Sequence, residues 1–311
     1  MTRAWYRGDL HVHSVHSDGE LTPARLAADA RRAGLDFLAT TDHNTAAAHH
    51  AWDDHHDLLV VPGAEVTTAT GHWLALGVRP GQVVDWHHRV RDGSVAARLA
   101  EVHAAGGIAV AAHPHAPYRS GTFMYPYDGF DAVEVWNGAW TSDRPWQADN
   151  EAALAEWGRR LGADVHSGQW RPAVGGSDTH LLDQLGTPHT VVLADAHTAP
   201  AVLAGLRAGR SWLAESARVT LTLTATAGDR TAGIGDRLDT AGRPAAVLVS
   251  IGGVPAGTVV LHTEEGAVHR APLGAGPVEW TTTAAESGFV RVEVRHPDGR
   301  IAALTNPVLL A

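Results

Sequence analysis

Cysteine is absent from this sequence of 311 residues. Its absence excludes disulfide bonds, thiolate metal sites and a cysteine nucleophile, and it leaves reducing and oxidising surroundings equally open. Lysine is absent as well, so all 24 basic residues are arginine. Together with 34 acidic residues they give a net charge of −10, which argues against broad binding to nucleic acids or membrane surfaces. We therefore expect no nucleic-acid polymer and no membrane among the partners.

Long apolar runs are also missing. No stretch reaches the ~20 apolar residues that a membrane helix needs, and the residues before Asp9 contain no apolar core of a secretory signal. These absences predict a cytoplasmic location. The hydrophobic content of 44% and the mass of 32.8 kDa are typical of a globular protein with one large α/β domain and a smaller one.

The pattern of predicted secondary structure changes once along the chain. Its first two thirds alternate short apolar runs with helical patterns, which indicates a βα-repeating fold with parallel strands. From about Ser216 onward, short β-rich segments follow one another without a helical pattern, which indicates a small immunoglobulin-like β-sandwich. We predict an α/β catalytic domain over residues 1–215 and an accessory β-sandwich over 216–311. A stabilising or dimerising role is favoured for the sandwich, with carbohydrate binding and a homo-oligomer left open.

Histidines and carboxylates recur at or just after strand-like segments of the first domain. Because side chains alternate along a strand, His11 and His13 face the same way and can share one metal ion. Asp178 and His180 share a face in the same manner, after a Gly-Gly pair that lets the backbone come close. The whole set of candidate metal ligands is His11, His13, Asp18, His43, Glu65, His72, His113, Asp178 and His180.

The placement of this set predicts an active site. The ends of parallel strands gather at one edge of a sheet or barrel, so side chains distant in sequence converge there. Burying them without cations would cost roughly several kcal/mol each. Imidazole and carboxylate without thiolate suit Zn, Mn, Fe or Co. Glu65 suits a bridging position, and we expect Asp9 and Asp42, which stand beside ligand histidines, to hydrogen-bond the imidazoles.

The ordered motifs resemble those of the PHP (polymerase and histidinol phosphatase) superfamily over about residues 5 to 215. They read Asp-Leu-His-Val-His-Ser, Thr-Thr-Asp-His-Asn, Gly-Ala-Glu-Val, Gly-His-Trp, Ala-His-Pro and Gly-Ser-Asp-Thr-His. The resemblance implies a distorted (β/α)7 barrel with two to three divalent ions, of Zn, Mn or Fe. It implies three metal sites. The first is held by His11, His13, Glu65 and Asp178, the second by Glu65, His72 and His113, and the third by Asp18, His43 and His180, so that Glu65 is common to the first two. Because no ligand is missing, we do not expect an inactive copy.

A narrower resemblance involves the phrase Val-Glu-Val-Trp-Asn-Gly at 133–138, the β-rich tail and Thr-Asn-Pro at 305–307. These features resemble the CehA/McbA group of PHP metallohydrolases, some of which hydrolyse aryl carbamates. The likeness does not fix a substrate for this chain.

The chemistry implied is metal-assisted hydrolysis, in which two cations sharing Glu65 lower the pKa of a bridging water to give hydroxide. The first hypothesis is a phosphoesterase or phosphatase that acts on a small phosphorylated metabolite or nucleotide. Asp178 and His180 would act at the reaction centre. Arg119 would add a bidentate phosphate clamp, or it is an ordinary surface arginine. The general acid stays open among His16, His115 and His180.

The second hypothesis is a hydrolase of carbamates, carboxylesters or amides that uses the same metal centre on a carbonyl. An apolar pocket would favour it, and seven aromatic residues are candidates for its walls, for barrel packing or for a lid: Trp73, Phe123, Tyr125, Tyr127, Trp136, Trp140 and Trp146. A metal-dependent binding module without turnover is the third hypothesis.

Overall fold

The computed structural model describes residues 3–52, 57–142, 144, 146–274 and 276–311. Up to residue 214, the described elements are β1 (Ala4–Asp9), α1 (Pro23–Ala33), β2 (Phe37–Thr40), β3 (Leu59–Thr68), β4 (Gly71–Leu76), α2 (Val95–Ala104), β5 (Ile108–Ala111), β6 (Ala132–Asn137), α3 (Asn150–Asp164), β7 (Ala173–Gly176), β8 (His189–Ala194), α4 (Ala199–Arg207) and β9 (Ser211–Ala214). None of the helices in these ranges is long and apolar enough to cross a membrane.

Helix α1 shows how local sequence sets an element. The Thr22 side chain accepts a hydrogen bond from Arg25 N, and Pro23 occupies the first turn, where its missing N–H costs nothing. Gly34 ends the helix with φ of 75°, a left-handed conformation that glycine adopts without strain. Thr22, Pro23 and Gly34 are therefore the sequence signals that set the two ends of α1.

The first nine strands form one mixed sheet, in the order β9-β8-β1-β2-β3-β4-β5-β6-β7. The pairs β1/β2, β2/β3, β5/β6 and β6/β7 are parallel. The pairs β3/β4 and β4/β5 are antiparallel, and β8 runs antiparallel to both β1 and β9. The predicted α/β class is confirmed. A (β/α)7 barrel is not confirmed, because β3, β4 and β5 are joined antiparallel and the described part contains only four α-helices.

Strand β7 lies beside β8 and β9, but side chains rather than a backbone ladder join them in the described ranges. Thr190 Oγ1 accepts from Gly175 N (3.0 Å) and donates to Gly175 O (2.7 Å). Asn306, which is fully buried, accepts from Ala173 N (2.7 Å) and donates to Ala173 O (2.9 Å). A residue near the end of the chain therefore holds the strand that leads to Asp178.

Beyond residue 219 the described elements are strands: β10 (Thr220–Ala227), β11 (Arg230–Gly233), β12 (Arg237–Leu238), β13 (Ala245–Gly252), β14 (Thr258–Thr263), β15 (Gly266–Pro272), β16 (Val278–Thr282), β17 (Phe289–Arg295), β18 (Ile301–Thr305) and β19 (Val308–Leu310). β10 alternates exposed and buried residues, and its inward Leu221 and Leu223 share a core with Val292 and Val294 of the facing sheet.

The α/β region up to residue 214 and the β-rich region that follows it share one sheet and one core. β18 pairs antiparallel with β9, with Ala303 opposite Ala214. Trp157 and Leu161 of α3 share a core with Phe289 and Ile301. The division of the chain at 215/216 stays a prediction, since a sheet and a core both extend across it.

Candidate metal centre

Two extended segments bring the first ligands together. β1 ends at Asp9, so His11 and His13 lie just beyond the strand rather than within it. The segment stays extended because His13 N donates to Thr179 O (2.9 Å) and Val12 bridges Thr179 in parallel. Alternation therefore persists past the strand, and the His11 and His13 rings lie 5.2 Å apart on one side.

The first group surrounds one space between two carboxylates. His11 Nε2 lies 3.4 Å from Asp178 Oδ1 and 3.5 Å from Glu65 Oε2. His13 Nε2 lies 3.1 Å from Asp178 Oδ1 and 3.4 Å from Glu65 Oε2. These four side chains are the set that the resemblance implies for a first metal.

Glu65 divides its two oxygens between neighbouring groups. Its Oε2 faces His11 and His13, whereas its Oε1 lies 3.0 Å from His72 Nδ1 and 3.0 Å from His113 Nε2. One carboxylate oxygen for each of two sites is the geometry expected of a bridging ligand. His72 contacts Glu65 but is absent from the three described groups in which all ligand atoms lie within 4.8 Å of one another.

A third group is more open to solvent. Asp18, whose side chain is 56% exposed, lies 3.3 Å from His180 Nε2 and 3.4 Å from His43 Nε2. His13 joins this group, since its Nδ1 lies 3.7 Å from Asp18 Oδ1. The structure thus brings all nine predicted ligands to one end of the sheet, and their role as ligands stays a prediction.

The donor set fits divalent cations. Among the predicted ligands, four buried ring nitrogens make no hydrogen bond to any described residue: His11 Nε2, His13 Nε2, His72 Nε2 and His113 Nδ1. An unsatisfied buried polar atom costs about 1–3 kcal/mol. His11 Nε2 and His13 Nε2 both face the space between Glu65 and Asp178, so they call for a further partner there. His72 and His113 turn their other ring nitrogen toward Glu65. Imidazole nitrogens and carboxylate oxygens without thiolate are the ligands of borderline and hard divalent ions.

Electrostatics keeps the carboxylates ionised. Burial would raise the pKa of Glu65, but the neighbouring His11 and His43 hold it well below its usual value. Asp178 is partly buried, and the same kind of contact with His11 holds its pKa well below the usual range. Burial opposes protonation of His43, yet Glu65 and Asp18 raise its pKa to about 10. Paired in this way, the carboxylates are available as ligands.

Glu134 contacts two of the predicted ligands and is not among the site residues that the sequence predicted. It is 1% exposed in the middle of β6, and its Oε1 accepts from His11 Nδ1 (3.0 Å). Its Oε2 accepts from His113 N (2.9 Å) and from Asn137 Nδ2 (3.1 Å). A carboxylate on Nδ1 fixes the tautomer and leaves Nε2 free for a metal. The available signal was a charged residue inside an apolar strand.

Neither Asp9 nor Asp42 hydrogen-bonds an imidazole of the described residues, so the prediction is wrong for the rings, although Asp9 does bond the backbone of the ligand candidate His11. Asp9 accepts from the backbone N–H groups of His11 (3.2 Å), Ser177 (2.9 Å) and Gly186 (2.8 Å). Asp42 accepts from Ser14 N and Oγ, both at 2.8 Å. These short side chains reach the backbone beside them rather than the rings, and they hold the ligand-bearing segments in place. Burial raises the pKa of Asp9 to about 6.

Seven of the nine predicted ligands line a cavity of about 820 Å³, and the other two, His11 and His13, are fully buried. Its walls include Tyr118, Asn137, Arg144, Trp146 and Gln147. Exposed Arg119 is absent from the lining, and so are His16 and His115. His115 instead lies 2.8 Å from Glu156 of α3. His180 is the one predicted general-acid candidate that lines the cavity, and the clamp assigned to Arg119 stays a prediction.

Most of the aromatic residues near His72 and His113 pack in the hydrophobic core rather than line the cavity. Phe123, Tyr125, Tyr127 and Phe130 contact one another with ring centroids 5.2–5.7 Å apart. Of the seven predicted candidates, Trp146 lines the cavity and is 59% exposed. The other six belong to the core or pack against it.

Comparison with known proteins gives matches in sequence and in fold. Residues 170–211, which include Asp178 and His180, match the PHP-associated family model. A two-domain protein of Bacteroides vulgatus, containing a predicted PHP-like metal-dependent phosphoesterase, is 16% identical, with a TM-score of 0.56 over 98% of this chain and 96% of that chain. Similarity at that level shows a shared fold that includes both regions of the molecule.

More distant similarities accompany these. An uncharacterized protein of Methanocaldococcus jannaschii is 24% identical over 155 residues, 42% of this chain and 81% of that protein. An amidohydrolase from Chromobacterium violaceum is 20% identical over 58% of this chain and 89% of that chain, with a TM-score of 0.39.

Proposed function

The chain resembles the PHP superfamily in its ordered motifs, its family-model match and its fold, and on that premise we propose that it is a multinuclear metal-dependent phosphoesterase. The substrate would be a small phosphorylated metabolite or nucleotide. One observation carries the proposal. Glu65 places its two oxygens in adjoining groups of histidines, and a third group joins them through His13.

The nine side chains that meet at this end of the sheet would be the ligands. Two to three divalent ions, of Zn, Mn or Fe, would supply Lewis acidity and lower the pKa of a coordinated water. His11, His13, Glu65 and Asp178 would hold one ion, and Glu65, His72 and His113 a second. Asp18, His43 and His180 would hold the third, in the most exposed part of the centre.

His180 and Asp178 are oriented by each other as well. His180 Nδ1 donates to the backbone oxygen of Asp178 (2.9 Å), which leaves Nε2 directed at Asp18 in the cavity. An imidazole fixed in this way can serve as a ligand or pass a proton to a leaving group. The geometry favours His180 over His16 and His115 for the acid role.

Charge and size support a phosphate ester. Several cations in one centre suit a dianion, and Arg144 in the cavity wall is the guanidinium that the lining offers for a second contact. A cavity of about 820 Å³ suits a small molecule, and a net charge of −10 disfavours a nucleic-acid polymer. The name of the Bacteroides vulgatus protein agrees with this class.

The decisive experiment combines elemental analysis with a substrate panel. The purified protein is loaded with Zn, Mn or Fe, its metal content is measured, and a phosphomonoester, a phosphodiester and an aryl carbamate are offered. We expect two to three ions per chain and metal-dependent turnover of a phosphate ester. Turnover of the carbamate alone with a full metal complement would overturn the phosphoesterase proposal. Metal binding without any turnover would leave only the binding-module hypothesis.

One observation favours hydrolysis of carbamates, carboxylesters or amides as a second candidate. Trp146 is 59% exposed and lines the cavity, where its indole could stack on an aryl leaving group. Trp146→Ala separates the two candidates. A raised KM for the aryl carbamate, with unchanged kinetics for a non-aromatic phosphomonoester, would support an aryl substrate.

A further inference from the structure

Tyr118 lies in a tight turn that follows the ligand His113. Its backbone oxygen accepts hydrogen bonds from Gly121 N (3.0 Å) and Thr122 N (3.1 Å). Thr122 Oγ1 donates to Ala116 O (2.8 Å), across the same turn. These bonds fix the backbone from which the Tyr118 side chain projects.

The ring of Tyr118 stands over two predicted ligands. Its centroid is 6.0 Å from that of His72 and 6.4 Å from that of His113, and the residue lines the cavity. Its hydroxyl has no hydrogen-bond partner in the described part of the chain. By contrast, Tyr125 Oη is bonded to Thr68 Oγ1 (2.7 Å) and Tyr127 Oη donates to Glu156 (3.5 Å). Tyr118 is therefore the phenol that retains a free donor at the centre.

Gly121 makes room for this ring. A Cβ at residue 121 would lie 2.2 Å from Tyr118 Cε2 and 2.3 Å from Cζ, far inside contact distance. Gly121 is not among the residues with a left-handed backbone, so its conformation alone does not require glycine. The steric need comes from Tyr118, and the ring position depends on the absence of a side chain at 121.

We infer that the Tyr118 hydroxyl donates a hydrogen bond to a non-bridging oxygen of the substrate phosphoryl group bound over His72 and His113. The inference rests on the proposed function, since it needs an anionic oxygen at that place. A neutral hydroxyl on a charged oxygen makes a short, strong hydrogen bond, and a preorganised donor stabilises charge that grows during reaction. Tyr118 would thus select oxyanion-bearing substrates without itself holding a metal.

Tyr118→Phe tests this contact directly. The ring and its packing remain, and only the donor is lost, so we expect kcat/KM for the phosphate ester to fall about tenfold or more. The dissociation constant of inorganic phosphate, measured by calorimetry on metal-loaded protein, should rise about tenfold. Metal content should stay at the wild-type value, because the residue is not a ligand. Unchanged kinetics together with unchanged phosphate affinity would overturn the inference.

Two further variants separate position from chemistry. Gly121→Ala must displace the Tyr118 ring and should show the same losses as Tyr118→Phe, whereas Tyr125→Phe removes a phenol hydroxyl outside the cavity and should leave phosphate affinity unchanged. If wild-type protein turns over only the carbamate, the phosphoesterase proposal fails, and an equal kcat/KM of Tyr118→Phe on that substrate would overturn the inference too. If it turns over neither, phosphate affinity alone decides.

Discussion

Two buried clusters of histidine and glutamate differ in how their charges are balanced. In the candidate metal centre, six histidines share three carboxylates, no arginine is paired with those carboxylates in the described residues, and four ring nitrogens lack hydrogen bonds. Between α3 and β17, Glu293 accepts from Arg291 Nη1 (2.8 Å) and Arg295 Nε (2.9 Å). His262 Nε2 lies 3.2 Å from the same carboxylate, and Arg295 also reaches Glu151.

This difference indicates which of the two clusters needs a bound ligand to balance its charges and fill its hydrogen bonds. Burial would raise the pKa of Glu293, but His262 and Arg291 hold it well below its usual value, so the carboxylate is neutralised by the protein itself. The Arg291 guanidinium also stacks over the Trp157 ring at 5.1 Å. Buried ionisable residues therefore do not mark a functional site by themselves. Several ring nitrogens without a hydrogen bond in one cluster do, whereas in the Glu293 cluster His262 Nε2 is the one ring nitrogen of the described residues that lacks a hydrogen bond.

The largest expected effect is that of His11→Ala. It removes a nitrogen directed at both Asp178 and Glu65, so metal content should fall and turnover should be lost. The loss should exceed the roughly 10–100-fold typical of residues that only support ligands. Elemental analysis and kinetics provide the measurement, and His87→Ala, at a 74% exposed side chain, is the matched control. Retained metal and activity would refute the site.

Glu293→Gln should produce the opposite pattern. It leaves Arg291 and Arg295 without their shared countercharge in a buried place, and breaking such a pair costs about 3–5 kcal/mol. Urea unfolding should show a loss of that order, somewhat reduced because glutamine keeps one acceptor. Metal content and kcat/KM of the folded fraction should equal those of wild type. A metal loss instead would mean that the two clusters are not independent.

Glu134→Gln probes the support of the cavity cluster. The variant keeps an acceptor for His11 Nδ1 but loses the charge that raises the basicity of the ring. We expect metal affinity to fall about 10–100-fold, with unfolding free energy of the metal-free protein little changed. Competition against a chelator measures the affinity. A stability loss with unchanged affinity would place Glu134 with Glu293, as a structural carboxylate.

The convergence of the nine candidate ligands was predictable because each belongs to a short motif within a strand or just after one. Alternation placed His11 and His13 on one side even though β1 ends at Asp9, since the chain beyond it stays extended. Glu134 was not predictable as a partner of His11, because that contact needs β6 to lie beside the end of β1. Tyr118 and Arg119 are neighbours, and only the turn geometry decides which of them enters the cavity.

The fold shows the same limit. Strand and helix periodicity is local, so α1 and the change of pattern near Ser216 could be predicted. The pairing of Ala214 with Ala303 and the contact of Asn306 with Ala173 join residues far apart in sequence, and no local pattern encodes them. The tail was therefore expected as an appendage, although its β18 extends the main sheet and Asn306 holds β7.

The smallest expected effect concerns His189, a buried histidine whose two ring nitrogens both have hydrogen-bond partners. His189 Nδ1 donates to Gly186 O (3.0 Å) and Nε2 accepts from Arg7 Nη1 (3.1 Å), while burial lowers the pKa of His189 to about 4. Its ordinary value is 6.5, so the unfolded chain takes up a proton first as pH falls. This contribution to stability is complete above about pH 6.5 and is lost progressively toward pH 4.

Between pH 7.5 and 5.5 the loss due to His189 should be about 1 kcal/mol. Urea unfolding of metal-free wild type and of His189→Asn at both pH values isolates it, because the other titrating groups are common to the two proteins. The wild type should lose more unfolding free energy than the variant over this interval. Equal losses would show that His189 can take up a proton in the folded protein. Hydrogen bonds on both ring nitrogens would then not be enough to keep a buried histidine neutral.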